Sequence, residues 1–208
     1  KYGKVAKDFT IFVIYIHKRK YITMNRDNKI AMFVNEINDI ADDDLRKLAT
    51  EIIAGADDYF FTIPASSTGK NHPKFSSGEG GLVRHTKCVV YMVKCLCESF
   101  VIDEYKRDML IVAALAHDIK KQGDIAEGVG YTVHEHPRIA AQYVYQTYCM
   151  FSDDIDTFGG IVEIICDAIS SHMGKWGAYP KYIKDKYDIK YVTGWRCPRE
   201  GEDLRALI

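Results

Sequence analysis

The adjacent pair His117-Asp118, set among His85, His136 and His172, is the part of this chain whose residue types could do chemistry. Imidazole nitrogen and carboxylate oxygen are the donors that hold a divalent metal able to activate water. His85 and His172 fall on otherwise apolar helical stripes, where a polar ring needs a partner. Taken singly, each histidine reads more readily as a core residue with a satisfied ring. Taken jointly they point the other way, because they fall at or near the ends of separate predicted helices. Ends that converge on one point would make a metal cage. His117-Asp118 also closes a segment rich in alanine (Ala113, Ala114, Ala116), and small residues let helices approach closely.

The elements that must position these groups follow from hydrophobic periodicity. Residues 28–54 read as two amphipathic helices, one with the stripe Ile30, Phe33, Val34 and Ile37, the other with Leu45, Leu48, Ile52 and Ile53. Asp42, Asp43 and Asp44 stand at the second start, where acidic groups suit a helix N-terminus. Residues 62–81, with their Pro, Ser and Gly, predict a long loop ahead of the first ligand-bearing helix.

A helix is expected over 82–100, its stripe His85, Val89, Met92 and Leu96 turning His85 toward the core. Another spans 110–121, with Gly123 as its stop. Pro137 suits the first position of a helix, which puts His136 near the cap and Ala140, Ala141, Val144 and Tyr148 on the buried face. The stripe Ile161, Ile165, Ala168 and His172 marks a helix over 160–172. Residues 179–199, rich in Tyr and Lys, read as irregular and as a candidate lid, and a last helix is expected from Glu202. The expected fold is all-α: a compact multi-helix bundle with a long loop before the first metal-ligand helix. Residues 24–208 read as a single helical domain, and residues 1–23 as an N-terminal extension of uncertain origin, since Met24 opens a more conventional run.

Bulk properties set limits on function. With 208 residues, 47% of them hydrophobic, and a formal net charge of -1, the chain suits one soluble domain with a sizeable core and gives no bulk electrostatic reason to bind nucleic acid. Six cysteines (Cys88, Cys95, Cys97, Cys149, Cys166 and Cys197) form no CxxC pair, so they read as buried thiols of a reducing, cytoplasmic compartment. The apolar run 9–16 holds eight residues, against roughly 20 for a membrane span, and no signal-peptide cleavage site follows it.

Four segments carry a resemblance. Gly80-Gly81-Leu82-Val83-Arg84-His85-Thr86 is similar to the GGLLEHT segment of HD-type 3′–5′ exoribonucleases and their small single-domain relatives. Leu115-Ala116-His117-Asp118-Ile119-Lys120-Lys121 resembles LLHDIGK, with Lys120 in place of Gly. Glu135-His136-Pro137 and Ser170-Ser171-His172-Met173-Gly174 match the later histidine motifs. Over residues 60–208 the chain thus resembles the HD superfamily of metal-dependent phosphohydrolases. The order of motifs is specific for the superfamily and much less so for a substrate.

The resemblance implies that His85, His117, Asp118, His136 and His172 are metal ligands, Asp118 bridging two ions or holding a single one. The ions would be divalent: Mn, Fe, Mg, Ni, Co or Zn. The family's closing aspartate has no clear counterpart up to Ile208, because Asp203 falls early for it. His134 and His136, two residues apart, cannot both face one site, and Pro137 favours His136. Lys121, at the family's lysine position, would bind a phosphate oxygen, a role Lys120 could take instead; the alternative is a solvated lysine at a helix end. His72 in the long loop would touch substrate or donate a proton, against a plain loop histidine. Lys175 with Trp176 would meet a nucleotide, against a surface pair.

The expected activity is hydrolysis of a phosphate ester of a nucleotide or short single-stranded nucleic acid by a metal-activated water. Asp118 and Lys121 are then the catalytic residues, and Lys121, His72 and Lys175 contact substrate. The rival is a catalytically weak HD domain acting as a nucleotide-binding or regulatory module. A helical interaction domain with incidental histidines is the third reading. Expected partners are phosphorylated small molecules, and no membrane.

Overall fold

The computed structural model describes residues 24–70, 72–151 and 155–174. The extension 1–23, Lys175, Trp176, the tyrosine-rich tail, Cys197 and Asp203 lie outside the described residues. Among those described, eight α-helices and one 3-10 turn form the structure and no strand is present. The helices are α1 (Arg26–Ala31), α2 (Val34–Asn38), α3 (Asp43–Ala54), α4 (Asp58–Thr62), α5 (Gly81–Ser99), α6 (Glu104–Ala116), α7 (His136–Phe151) and α8 (Ile155–Ser171). The all-α expectation holds.

Helix α6 is the axis of the bundle. Every residue from Asp108 to Ala116 is buried, which is the pattern of a helix apolar all round. It packs against α3, α5, α7 and α8, and its alanines allow that close approach. The one buried charge on it, Asp108, accepts hydrogen bonds from the backbone N–H groups of Ala41 (2.7 Å) and Asp42 (3.0 Å), tying the start of α3 to the axis. Asp42 in turn caps α3 by accepting from Asp44 and Leu45. Lys29, also buried, donates to the Ala56 carbonyl at 2.6 Å and pairs with Asp58, so α1 is pinned to the start of α4.

Several boundaries differ from the periodic reading. The first amphipathic segment is broken at Phe33, whose φ of -123° ends α1 and starts α2. Phe33 stacks instead on Phe60, with ring centroids 5.9 Å apart. That aromatic cluster, tertiary rather than periodic, also explains the short helix α4, which periodicity did not mark. On α5 the core stripe is Leu82, Val83, Thr86, Val90, Val93 and Cys97. Met92 is 49% exposed, so the stripe lies one residue off the expected one and His85 stands at its rim. Helix α6 ends at Ala116 rather than at 121. The chain then descends in tight turns, with N–H to C=O bonds from Ile119 to Ala116, Lys121 to Asp118 and Gly123 to Lys120. Gly123 closes them at φ +85°, a conformation other residues rarely adopt.

Cys88, Cys95, Cys97, Cys149 and Cys166 are free thiols, but only Cys97 is fully buried and Cys149 is exposed. The expectation of buried thiols is corrected accordingly: Cys88, Cys95 and Cys166 are half-buried. Among the described residues, no helix is long and apolar enough to cross a membrane.

Candidate metal centre

The carboxylate of Asp118 is the hub. It is 2% exposed and lies in the turns just after α6. Its Oδ1 is 3.0 Å from His136 Nε2 and 3.6 Å from His172 Nε2. Its Oδ2 is 3.5 Å from His117 Nε2 and 3.6 Å from His85 Nε2. Within each pair the ring nitrogens also meet, His136 with His172 at 3.2 Å and His85 with His117 at 3.3 Å. The five residues singled out by type and spacing therefore converge, two histidines to each carboxylate oxygen.

One local device orients three of the rings. His117 Nδ1 lies 2.7 Å from the Ala114 carbonyl, His172 Nδ1 2.7 Å from that of Ile169, and His136 Nδ1 2.6 Å from that of Val133. The last carbonyls of α6 and α8 lack intrahelical donors, and each is met by a histidine placed three residues on. A carbonyl can only accept, so Nδ1 carries the proton in all three rings. In the neutral imidazole Nε2 is then a bare lone pair aimed at Asp118, which is how metal-ligating histidines are commonly set.

The polar balance around the carboxylate is uneven. Lys121, buried, donates to Oδ2 at 2.5 Å. Oδ1 is fully buried and accepts no hydrogen bond from any described residue. Burial alone would push the Asp118 carboxyl up; the Lys121 ammonium against it outweighs that and holds it well below the usual carboxylate range. His85 moves the other way: burial, helped by the neighbouring His117, pushes its imidazole down to about 3, so it is neutral at ordinary pH.

His72 arrives from the loop before α5. Its ring meets that of His85 edge-on, with centroids 4.6 Å apart, and its Nδ1 is buried without a hydrogen-bond partner. One donor atom from each of His72, His85 and Asp118 lies within 4.8 Å of the others, and so do donors of Asp118, His136 and His172. His72 thus sits beside His85 and Asp118 in the same cluster. His134 is exposed, while His136 is 2% exposed and at the hub. Lys121 faces Asp118, and Lys120 turns to Asp57 (2.8 Å) and Asp124 (2.7 Å) and lies over the Tyr143 ring. Lys175 falls outside the described residues.

Sequence reasoning missed Arg84. Its guanidinium donates to the carbonyls of Phe75 (2.7 Å), Ser77 (2.8 Å) and Glu79 (2.9 Å), closing the loop that carries His72. The visible signal was a long loop full of carbonyls without donors, followed by an arginine at the next helix start. Gly81 lets that loop close: a Cβ there would stand 2.1 Å from the Ser76 carbonyl oxygen. Asp57 and Asp124, which satisfy Lys120, were likewise unmarked, because their contact depends on the tertiary turn.

The donors fit a cation. Ligands about 2.1 Å from one ion are about 3.0 Å apart at octahedral angles and about 3.4 Å apart at tetrahedral ones, and the separations here run from 3.0 to 3.6 Å. The buried His/Asp groups could therefore hold a metal ion. Comparison with protein-family models, curated proteins and solved structures finds no match to this chain.

Proposed function

We propose that this protein is a metal-dependent phosphohydrolase of the HD type, acting on the phosphate ester of a nucleotide or a short single-stranded nucleic acid. One observation carries the reading: a buried carboxylate whose two oxygens each face a pair of imidazole Nε2 atoms. Four segments resembling the superfamily motifs supply those five residues in the family's order. The donors are mainly imidazole nitrogen, which suits Mn, Fe, Co, Ni or Zn better than the oxygen-seeking Mg. Divalent ions held there would supply hydroxide from water near neutral pH and offset charge on the phosphate oxygens.

The chain's own groups have separable duties. Asp118 spans both sides of the site, and the Nδ1 contacts of His117, His136 and His172 keep their rings from rotating away. Lys121 offers an ammonium to a phosphate oxygen as a point charge. His72, beside His85, would contact substrate or donate a proton at that side of the cluster. Lys120, the residue that departs from the family motif, is turned away to Asp57 and Asp124 and leaves the site clear.

Elemental analysis of the purified protein, paired with a panel of phosphomonoesters and phosphodiesters, tests this. The expected result is bound first-row metal and turnover of at least one ester. His117→Ala and Asp118→Ala are expected to lose both while the helical circular dichroism signal persists. Turnover that survived either change would refute the mechanism, and metal retained without turnover of any ester would favour a binding module.

A further inference from the structure

The two sides of Asp118 differ in what already neutralises them. On the Oδ1 side, His136 and His172 both spend their Nδ1 protons on backbone carbonyls. Their Nε2 lone pairs and Oδ1 then form three acceptors, 3.0 to 3.6 Å apart, with no donor among them. Such a buried arrangement is costly until a cation joins it. On the Oδ2 side a cation is built into the chain: Lys121 Nζ lies 2.5 Å from Oδ2, and Lys121 is 6% exposed. Asp118 is the partner the structure gives that ammonium. An ion binding Oδ2 competes with that ammonium for the same oxygen and is repelled by its charge, and a buried ammonium drawn off its counter-charge is unfavourable.

We infer that Asp118 takes its two ions unequally and in order, the Oδ1 side with His136 and His172 filling first and the Oδ2 side with His85 and His117 filling more weakly, tightening as Lys121 exchanges Oδ2 for an oxyanion such as a substrate phosphate. The inference rests on the metal-site reading above and adds regulation to it: the complete site assembles with phosphate present. Lys121 is then a positioning residue as well as a phosphate contact. Because linkage is reciprocal, phosphate and the second ion tighten each other's binding.

Equilibrium dialysis of chelator-treated protein against Co2+ alone, and against Co2+ with inorganic phosphate, reads this without any activity assay. Wild type is expected to bind in two steps, the first about tenfold or more tighter than the second, a coupling of ordinary size. His172→Ala should abolish the tight step and His85→Ala the weak one. Lys121→Met should tighten the weak step about tenfold and narrow the gap between steps, while Lys121→Arg, which keeps the charge, should preserve it. Phosphate should tighten the weak step in wild type and much less in Lys121→Met. Circular dichroism of each variant confirms that it is folded. A single step in wild type, an equal shift of both steps in Lys121→Met, or loss of the tight step in His85→Ala would overturn the ordering alone. No Co2+ bound by wild type would bring down the metal-site reading, and this inference with it.

Discussion

Lys120 and Lys121 leave the same turn in opposite directions, and the two regions they enter are built differently. On the Lys120 side the charge and the turn's polar groups are paired. The ammonium sits between Asp57 and Asp124 and over the Tyr143 ring. Tyr59 donates its hydroxyl proton to the Gly123 carbonyl at 2.9 Å and accepts from the Gln122 N–H at 3.3 Å. On the Lys121 side acceptors crowd together, and one buried carboxylate oxygen has no donor. A satisfied polar network fixes a unique turn. A convergent, unsatisfied one is costly to keep and marks the place where a ligand is expected. The contrast separates architecture from chemistry within a few residues of chain.

The contrast can be broken by experiment. Lys120→Ala leaves the largely buried Asp57 without its cation, Asp124 being mostly in solvent, and is expected to cost about 3 kcal/mol of stability in urea denaturation. Metal bound per folded chain should stay unchanged. Loss of metal from the folded variant would show that the two regions are not separate.

A smaller effect comes from pH. In the chelated protein His85 is held neutral, its folded value near 3 against an unfolded value near 6.5. The unfolded chain takes up a proton below about 6.5 and the folded one does not, so stability is full above that pH and declines as pH falls toward 3. Between about pH 7 and pH 5 the expected loss from this ring is about 2 kcal/mol. His85→Gln should flatten the dependence over that window. An unchanged slope would mean that the ring is not shielded from protonation.

Tyr59→Phe removes one hydroxyl from the satisfied side and should cost about 1–2 kcal/mol by thermal or urea unfolding, with metal content intact. His134→Ala should change stability by less than about 0.5 kcal/mol and leave metal binding alone, since His134 is exposed. A metal loss in that variant would reopen the choice between His134 and His136.

How far the sequence reveals all this depends on range. The alanine-rich α6 and the stripe on α7 were readable because a wholly buried helix and a regular apolar face leave a periodic trace: Ala140, Ala141, Val144 and Tyr148 are all buried. The α5 stripe was misplaced by one residue because Met92 and Leu96 look more apolar than Thr86 and Cys97, which the fold in fact buries more deeply. The break at Phe33 and the existence of α4 follow from aromatic rings meeting across the chain, which local pattern does not encode. The five ligand candidates were legible as residue types at helix ends. Their sorting into two pairs about Asp118 was not, and neither was the division of labour between Lys120 and Lys121. Both depend on where the turns after Ala116 send successive side chains, and those turns are tighter than the helix expected there.

The central claim is that Asp118 bridges two cation positions, and anomalous X-ray diffraction from crystals grown with Co2+ or Mn2+ and phosphate tests it most directly. The account predicts two anomalous peaks, each about 2.0–2.3 Å from one Asp118 oxygen, one also bound by His136 and His172 and the other by His85 and His117. Peaks away from Asp118, or none at all in crystals soaked to saturation, would contradict it.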